Sequence, residues 1–268
     1  VVKRISLVIS DVDGTLVTPD KTLTDASVRA VRLLHERGIG FSMVSSRPPM
    51  GMRMLVGPLR ITLPIGAFSG GALVTPDLKV IEQHRIPQAA AQQAVELIER
   101  SGADVWVYTA DAWIARNANG DYVPREKRTI QAEPTVVTDF TAYLDRACKI
   151  VGSSKDFDGL ARCAVAMREA LGSQASVARS QSYYLDVTAP NVDKGTFLSS
   201  LSRRLSIEPA AIAVLGDMEN DLAMFRKAGL AIAMGNASSE VSREAHHVTS
   251  SNAEDGFAQA IERYILSA

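Results

Sequence analysis

The sequence predicts an α/β protein, a doubly wound parallel-sheet core interrupted by an inserted α+β domain. Three observations carry that expectation. Short apolar runs end abruptly in acidic turns, helical segments alternate with those runs in the first and last thirds, and the middle third has a different texture.

The first run, Ile5–Ser10, is mostly apolar, with Leu7-Val8-Ile9 unbroken, the pattern of a strand covered on both faces. Thr24 can cap a helix reaching about Arg37; Val28, Val31 and Leu34 recur on one face and Gly38 stops it. Ile39–Ser45 is the next strand, Pro48 or Pro49 opens a short helix, and Pro64–Val74 holds a further strand. After Pro87 the pattern shifts. An alanine-rich helix to about Arg100 precedes strands at Val105–Tyr108 and Trp113–Arg116, then Cys148–Val151, a helix near Phe157–Leu171, and strands at Ser176–Ala178 and Tyr183–Val187. From Lys194 the first texture returns, with strands at Ala211–Leu215, Leu230–Met234 and His247–Val248 and a final helix near Glu254–Ile265. The expected division is therefore a core of residues 1–81 and 190–268 with an insertion at 82–189.

With 268 residues, 46% of them hydrophobic, the chain can bury a sizeable core. A formal net charge of −1 leaves no electrostatic footprint for nucleic acid or an anionic membrane. The apolar runs are too short to span a bilayer, and Val1-Val2-Lys3-Arg4 leads into the strand without an apolar signal segment. Cys148 and Cys163 form no C-x-x-C pair and no disulfide framework. A reduced, cytoplasmic enzyme is the expectation; the oligomeric state is left open.

The acidic turns carry the chemistry. Asp11 and Asp13 follow the first run in "SDVDGT", and positions two apart on an extended chain lean to one side. That side lies at the carboxyl end of the strand, where open α/β sheets place ligands. Two carboxylates so close share a proton or need a cation. "AVLGDMENDLAMF" repeats the arrangement, with Asp217, Glu219, Asn220 and Asp221 after an apolar run and Gly216. Taken alone, each loop reads equally well as an ordinary turn with helix-capping aspartates. Together they supply hard oxygen ligands without a nearby histidine, a set that suits Mg²⁺ rather than zinc. "FSMVSSRP" adds the hydroxyls of Ser45 and Ser46 at the same sheet edge. "NVDKGTF" places Lys194 at a helix start, where the macrodipole disfavours a cation, with Gly195 permitting close approach.

As a set, D-x-D-G-T after the first strand, Ser after the second, a Lys, and G-D-x-x-N-D resemble the four motifs of the haloacid dehalogenase superfamily of phosphohydrolases. The tail "GDMENDLAMFRKAGLAIAMGNASSEVS" with "EDGFAQAI" is similar to the Cof-type subfamily, whose cap domain lies between the second and third motifs. The resemblance covers the whole core; across the insertion it rests on length and pattern. It implies a Rossmann-like core with the first strand central, and an inserted cap that sets specificity. By position, it implies Asp11 as nucleophile, Asp13 as general acid/base, and Ser45 and Lys194 as phosphoryl ligands. Mg²⁺ would be held by Asp11, Asp217 and the Asp13 backbone carbonyl, with Asn220 and Asp221 completing the phosphate and metal shells. The implied activity is Mg²⁺-dependent hydrolysis of a small phosphorylated metabolite, such as a sugar phosphate or a phosphorylated cofactor, with broad specificity. Gly70 stands where relatives often carry Asn, and His246-His247 where Ala-Asp is frequent; neither touches a motif residue.

Other functions are less well served. A receiver domain shares an acidic cluster, Ser/Thr and Lys, but is far shorter and lacks the second carboxylate. A phosphosugar mutase on the same scaffold is the stronger rival. A silent binding protein would have no reason to keep four intact motifs. "GIGFSM" precedes a strand instead of following one, and "DKGT" reverses the order of a phosphate-binding P-loop. The basic run "PREKR" (Pro124–Arg128) reads as a solvated face or, if its loop folds over the active site, as a substrate anchor through Arg125 or Lys127.

Overall fold

The computed structural model describes residues 4–267. The chain forms two compact units. One combines the chain up to Ser46, Arg53–Lys79, and the chain from Asp193 onward; the other combines Arg47–Met52 with Val80–Val192.

The first unit is built on a five-stranded parallel sheet in the order His247–Val248, Leu230–Ala233, Ile212–Gly216, Leu7–Ser10, Gly40–Met43. The first strand in sequence pairs with a neighbour on each side, Leu7 with both Ile212 and Gly40 and Ser10 with both Leu215 and Met43. Leu7, Val8, Ile9 and Ser10 are all fully buried, so both faces of the strand are covered. That is why its sequence is a continuous apolar run rather than an alternation. Thr24 caps the Asp25–Glu36 helix as expected, its hydroxyl accepting from the Ser27 N–H at 3.1 Å.

One expected strand is not a single strand. Residues 64–74 fold into an antiparallel pair, Ile65–Ala67 with Ala72–Val74. The turn between them puts Phe68, Ser69 and Gly70 at positive φ, which no continuous strand can hold. Gly70 is required there twice over. Its φ is +100°, and a Cβ would come within 2.4 Å of the Asp193 carbonyl oxygen. The unusual histidines are also structural. Ala231 N–H donates to His246 Nδ1 at 2.9 Å, and His247 stacks on Tyr264 with ring centroids 4.3 Å apart.

The second unit holds a six-stranded, mostly antiparallel sheet in the order Ser176–Gln181, Tyr184–Thr188, Lys149–Ser153, Asp104–Tyr108, Trp113–Ala115, Thr135–Val136. Its side chains alternate with period two. Val105, Val107, Ile114, Ile150, Leu185 and Val187 enter one apolar core with the Gln88–Arg100 and Phe157–Leu171 helices. Trp106, Tyr108, Trp113, Lys149 and Asp186 fall on the opposite face and are buried as well. The basic run at Pro124–Arg128 is not a loop but part of the Val123–Ile130 helix, which has proline in its first turn. Glu126 of that helix accepts from Tyr108 Oη at 2.8 Å and from Tyr184 Oη at 3.4 Å. None of the described helices is long and apolar enough to cross a membrane.

On the polar face, Lys149 Nζ lies 2.8 Å from Asp186 Oδ2, with both side chains about a tenth exposed. Removing one partner of a buried pair strands the other charge, at a cost of about 3–5 kcal/mol. Lys149→Met should destabilise the protein by that order in urea unfolding, and Lys149→Met/Asp186→Leu should recover most of the loss. A single variant as stable as wild type would show that the pair is solvated.

Candidate active site

The site forms where four strands of the parallel sheet release their carboxyl ends into loops. Asp11 lies one residue past the first strand, yet its N–H still donates to Leu215 O at 2.9 Å. This extra ladder bond carries Asp11 alongside Gly216 and Asp217. Gly216 lets the next turn fold back, since a Cβ there would meet the Asp221 carboxyl at 2.4 Å. Asp221 Oδ2 accepts from the Asp217 and Met218 N–H groups at 2.9 and 3.0 Å. Asp221 therefore caps its own turn with one oxygen and presents the other to the site.

Lys194 occupies the first position of the Lys194–Leu205 helix, behind an Asp193–Thr196 capping box. The helix can approach closely because Gly195 faces the Ala223 carbonyl, 2.4 Å from where a Cβ would be. Lys194 Nζ lies 2.6 Å from Asp11 Oδ1 and 2.6 Å from Asp221 Oδ1. The Lys194 side chain is 1% exposed, and those of Asp11 and Asp221 are 6% and 0% exposed. These carboxylates offset both the desolvation of the lysine and the unfavourable helix end. Its proton is held more tightly than usual; burial opposes the charge, but Asp11 and Asp221 outweigh it.

Asp11, Asp217 and Asp221 each offer an oxygen within 4.8 Å of the others, and all three are buried. One lysine does not balance three carboxylates. Burial raises the Asp11 carboxyl well above the usual range, Lys194 pulls it back, and Asp221 and Asp217 push it further up. Asp217 is pushed up to about 6, first by burial and then by Asp221. The donor set is all oxygen, without histidine or cysteine, and carries surplus negative charge, so it fits a hard divalent ion such as Mg²⁺.

The other expected residues are placed differently. The Asp13 carboxylate is not in the buried group. It pairs with Lys21 Nζ at 2.8 Å, with side chains 26% and 33% exposed, in a turn where Lys21 has φ +68°. The first strand ends at Ser10, so Asp11 and Asp13 lie in a loop and the two-residue rule for strands does not govern them. Ser45 is buried, its N–H donating to Gly66 O at 2.9 Å and its carbonyl accepting from Ser69 N–H at 2.8 Å. Asn220 is exposed on the single helical turn Glu219–Asp221. Two residues enter that sequence reasoning had not singled out. Thr15 Oγ1 donates to Asp217 Oδ1 at 3.2 Å, and Asn236 Nδ2 donates to Asp217 Oδ2 at 3.1 Å. Asn236 sits in "MGNAS", directly after another strand of the same sheet, and that position was the available signal.

Comparison with known proteins agrees with this architecture. A family model described as haloacid dehalogenase-like hydrolase matches residues 8–261. An HMP-PP phosphatase of Cronobacter sakazakii is 26% identical over 89% of this chain and 87% of that protein. The 5-amino-6-(5-phospho-D-ribitylamino)uracil phosphatase of Bacillus subtilis is 24% identical over 98% and 96% of the two chains. The crystal structure of a haloacid dehalogenase-like hydrolase from Bacteroides thetaiotaomicron superposes with a TM-score of 0.90 at 26% identity, covering 97% of this chain and 99% of that one.

The charge imbalance has a measurable sign. Asp217 takes up its proton more readily folded, at about 6, than an unfolded aspartate does at about 4. Its contribution is therefore lost as pH rises between those values. In EDTA the thermal midpoint should fall from pH 5 to pH 7. Lys194→Met should steepen that fall and cost about 3–5 kcal/mol at neutral pH, because it leaves the carboxylates without their cation. A variant with a flat pH profile would contradict this picture.

Proposed function

The chain belongs to the haloacid dehalogenase-like hydrolases and is a phosphoric monoester hydrolase, and from that premise we propose that it hydrolyses small phosphorylated metabolites through a phosphorylated Asp11. The observation that carries this reading is the buried Lys194 bridge to Asp11, beside a second carboxylate loop. Relatives named for small phosphorylated compounds support the substrate class.

A phosphomonoester is anionic and a bare carboxylate repels it. Lys194 neutralises part of that charge at the Asp11 oxygen it touches. Mg²⁺ would be held by Asp11, Asp217 and the Asp13 backbone carbonyl, and when bound it supplies the remaining neutralisation of the phosphoryl oxygens. Asp221 stands behind, orienting Lys194 and closing its own turn.

In the first step an Asp11 oxygen forms a bond to phosphorus as the ester P–O bond breaks. The Asp13 carboxyl gives its proton to the departing oxygen. In the second step water loses a proton to Asp13 and attacks the phosphorus, releasing inorganic phosphate and restoring the Asp11 carboxylate. Asp13 enters this cycle from its ion pair with Lys21, which favours its charged form and so opposes protonation until the pair loosens. Ser45 and Asn220 would contact the phosphoryl oxygens. The insertion at 82–189 would act as the specificity domain, recognising the organic part of the substrate.

Phosphate release from p-nitrophenyl phosphate and a panel of phosphomonoesters should require Mg²⁺ and stop in EDTA. Asp11→Asn should lower kcat by at least about a thousandfold. Asp13→Asn should lower it by roughly 10²–10⁴-fold on alkyl phosphates and by less on p-nitrophenyl phosphate, whose leaving group needs little protonation. Turnover that survives Asp11→Asn would remove the covalent route.

A further inference from the structure

Whereas Asp11 and Asp221 are met by Lys194, Asp217 is held by neutral side-chain donors. Its two carboxylate oxygens accept from different loops: Oδ1 from the Thr15 hydroxyl at 3.2 Å, Oδ2 from the Asn236 amide at 3.1 Å. Gly14, at φ +88°, sits against the carboxylate, so close that a Cβ there would stand 2.2 Å from Asp217 Oδ2. The carboxylate is held at both oxygens by these two donors, and Gly14 leaves the space it fills.

The Asn236 amide is itself fixed. Its Nδ2 group also donates to Gly14 O at 3.0 Å, and its Oδ1 accepts from the Asn252 N–H at 2.9 Å. Two acceptors facing the nitrogen and one donor facing the oxygen leave only one amide orientation, and a carboxylate in its place would set oxygen against oxygen. Met234 N–H to Gly216 O, at 3.0 Å, keeps the Asn236 loop beside the Asp217 loop. Asn252 is buried and anchors in turn through Nδ2 to Val17 O at 2.8 Å. Loops that follow four adjacent strands are thus tied together at one amide.

We propose that Asn236 is a positioning residue that fixes the Asp217 carboxylate at the reach of a small divalent ion, and so sets a preference for Mg²⁺ over Ca²⁺. The inference rests on the metal-binding reading given above. Mg²⁺ takes oxygen ligands at about 2.0–2.1 Å in a strict octahedron, whereas Ca²⁺ takes roughly six to eight at about 2.3–2.6 Å in adaptable geometry. To serve the larger ion a carboxylate must back away or turn to offer both oxygens. Either movement breaks the hydrogen bonds from Thr15 and Asn236, which hold both oxygens. Selectivity between these ions depends on rigidity and ligand number, and Asn236 contributes the rigidity.

The test is calorimetric titration of Mg²⁺ and of Ca²⁺ into the metal-free full chain, for wild type, Asn236→Ala, Thr15→Val and Asn252→Ala. Asn236→Ala should weaken Mg²⁺ binding by roughly tenfold and Ca²⁺ binding by clearly less, so that the ratio of the two dissociation constants contracts. Thr15→Val should move the ratio in the same direction, and it carries the test if thermal unfolding in EDTA shows that Asn236→Ala fails to fold. Asn252→Ala removes the bond to Val17 but keeps the backbone donor to Asn236, so it should lower stability and leave the ion ratio unchanged. An unchanged ratio in both Asn236→Ala and Thr15→Val overturns the inference. So does an Asn252→Ala shift as large as that of Asn236→Ala, which would make the effect general loosening. Absence of Mg²⁺ binding by the wild type would sink the metal-binding reading itself.

Discussion

The buried ammonium of Lys194 is the constraint around which the core is arranged. An isolated cation at that depth, at the wrong end of a helix, would be expelled or neutralised. It stays charged because Asp11 and Asp221 meet it from two different loops at hydrogen-bonding distance. Those contacts are possible only if the strands Leu7–Ser10 and Ile212–Gly216 are direct neighbours, which they are. They also require the Lys194–Leu205 helix to seat against Leu222–Phe225, which Gly195 permits. The ion triad thus joins sheet order, helix placement and loop conformation in one condition. Breaking any part of it leaves charge stranded in the core.

What the triad leaves unbalanced is as informative as what it balances. A third carboxylate, Asp217, stands in the same group, and burial raises its proton affinity together with that of Asp11. A fold under selection for stability alone would replace such a group with apolar side chains. The cluster is stable in its charged form only with more positive charge, and a phosphohydrolase has a use for that positive charge. The same arithmetic separates Asp13, whose carboxylate is partly exposed and answered by Lys21 rather than buried with the others.

The inserted unit solves a different problem. Its sheet is apolar toward the Gln88–Arg100 and Phe157–Leu171 helices and polar-aromatic on the other face, where Lys149 pairs with Asp186 and Glu126 accepts from two tyrosine hydroxyls. Strict alternation along each strand produces both faces from one sequence. Both tryptophans and most of the tyrosines fall in the middle third of the chain, and Trp106, Trp113, Tyr108 and Tyr184 cluster by ring contacts on that polar face.

Most of the fold and half of the site could be read from the chain. Apolar runs gave the buried strands, and residues next to those strand ends gave Asp11, Asp217 and Asp221, because a carboxylate just past a buried strand has few places to go. The hairpin at 64–74 escaped although Ser69-Gly70-Gly71 is a turn signal, since Phe68 and Ser69 take positive φ only under tertiary packing. The pairing of Asp13 with Lys21 escaped because it depends on how a loop folds back, not on strand periodicity. Thr15 and Asn236 meet at Asp217 across 221 positions of sequence, brought together only by sheet order. The sequence by itself determined the elements and the kind of chemistry, since hydrophobic periodicity and side-chain type are local. Only the tertiary structure decided which oxygens face which donors, because those distances arise from strands that are neighbours in the sheet but not in the chain.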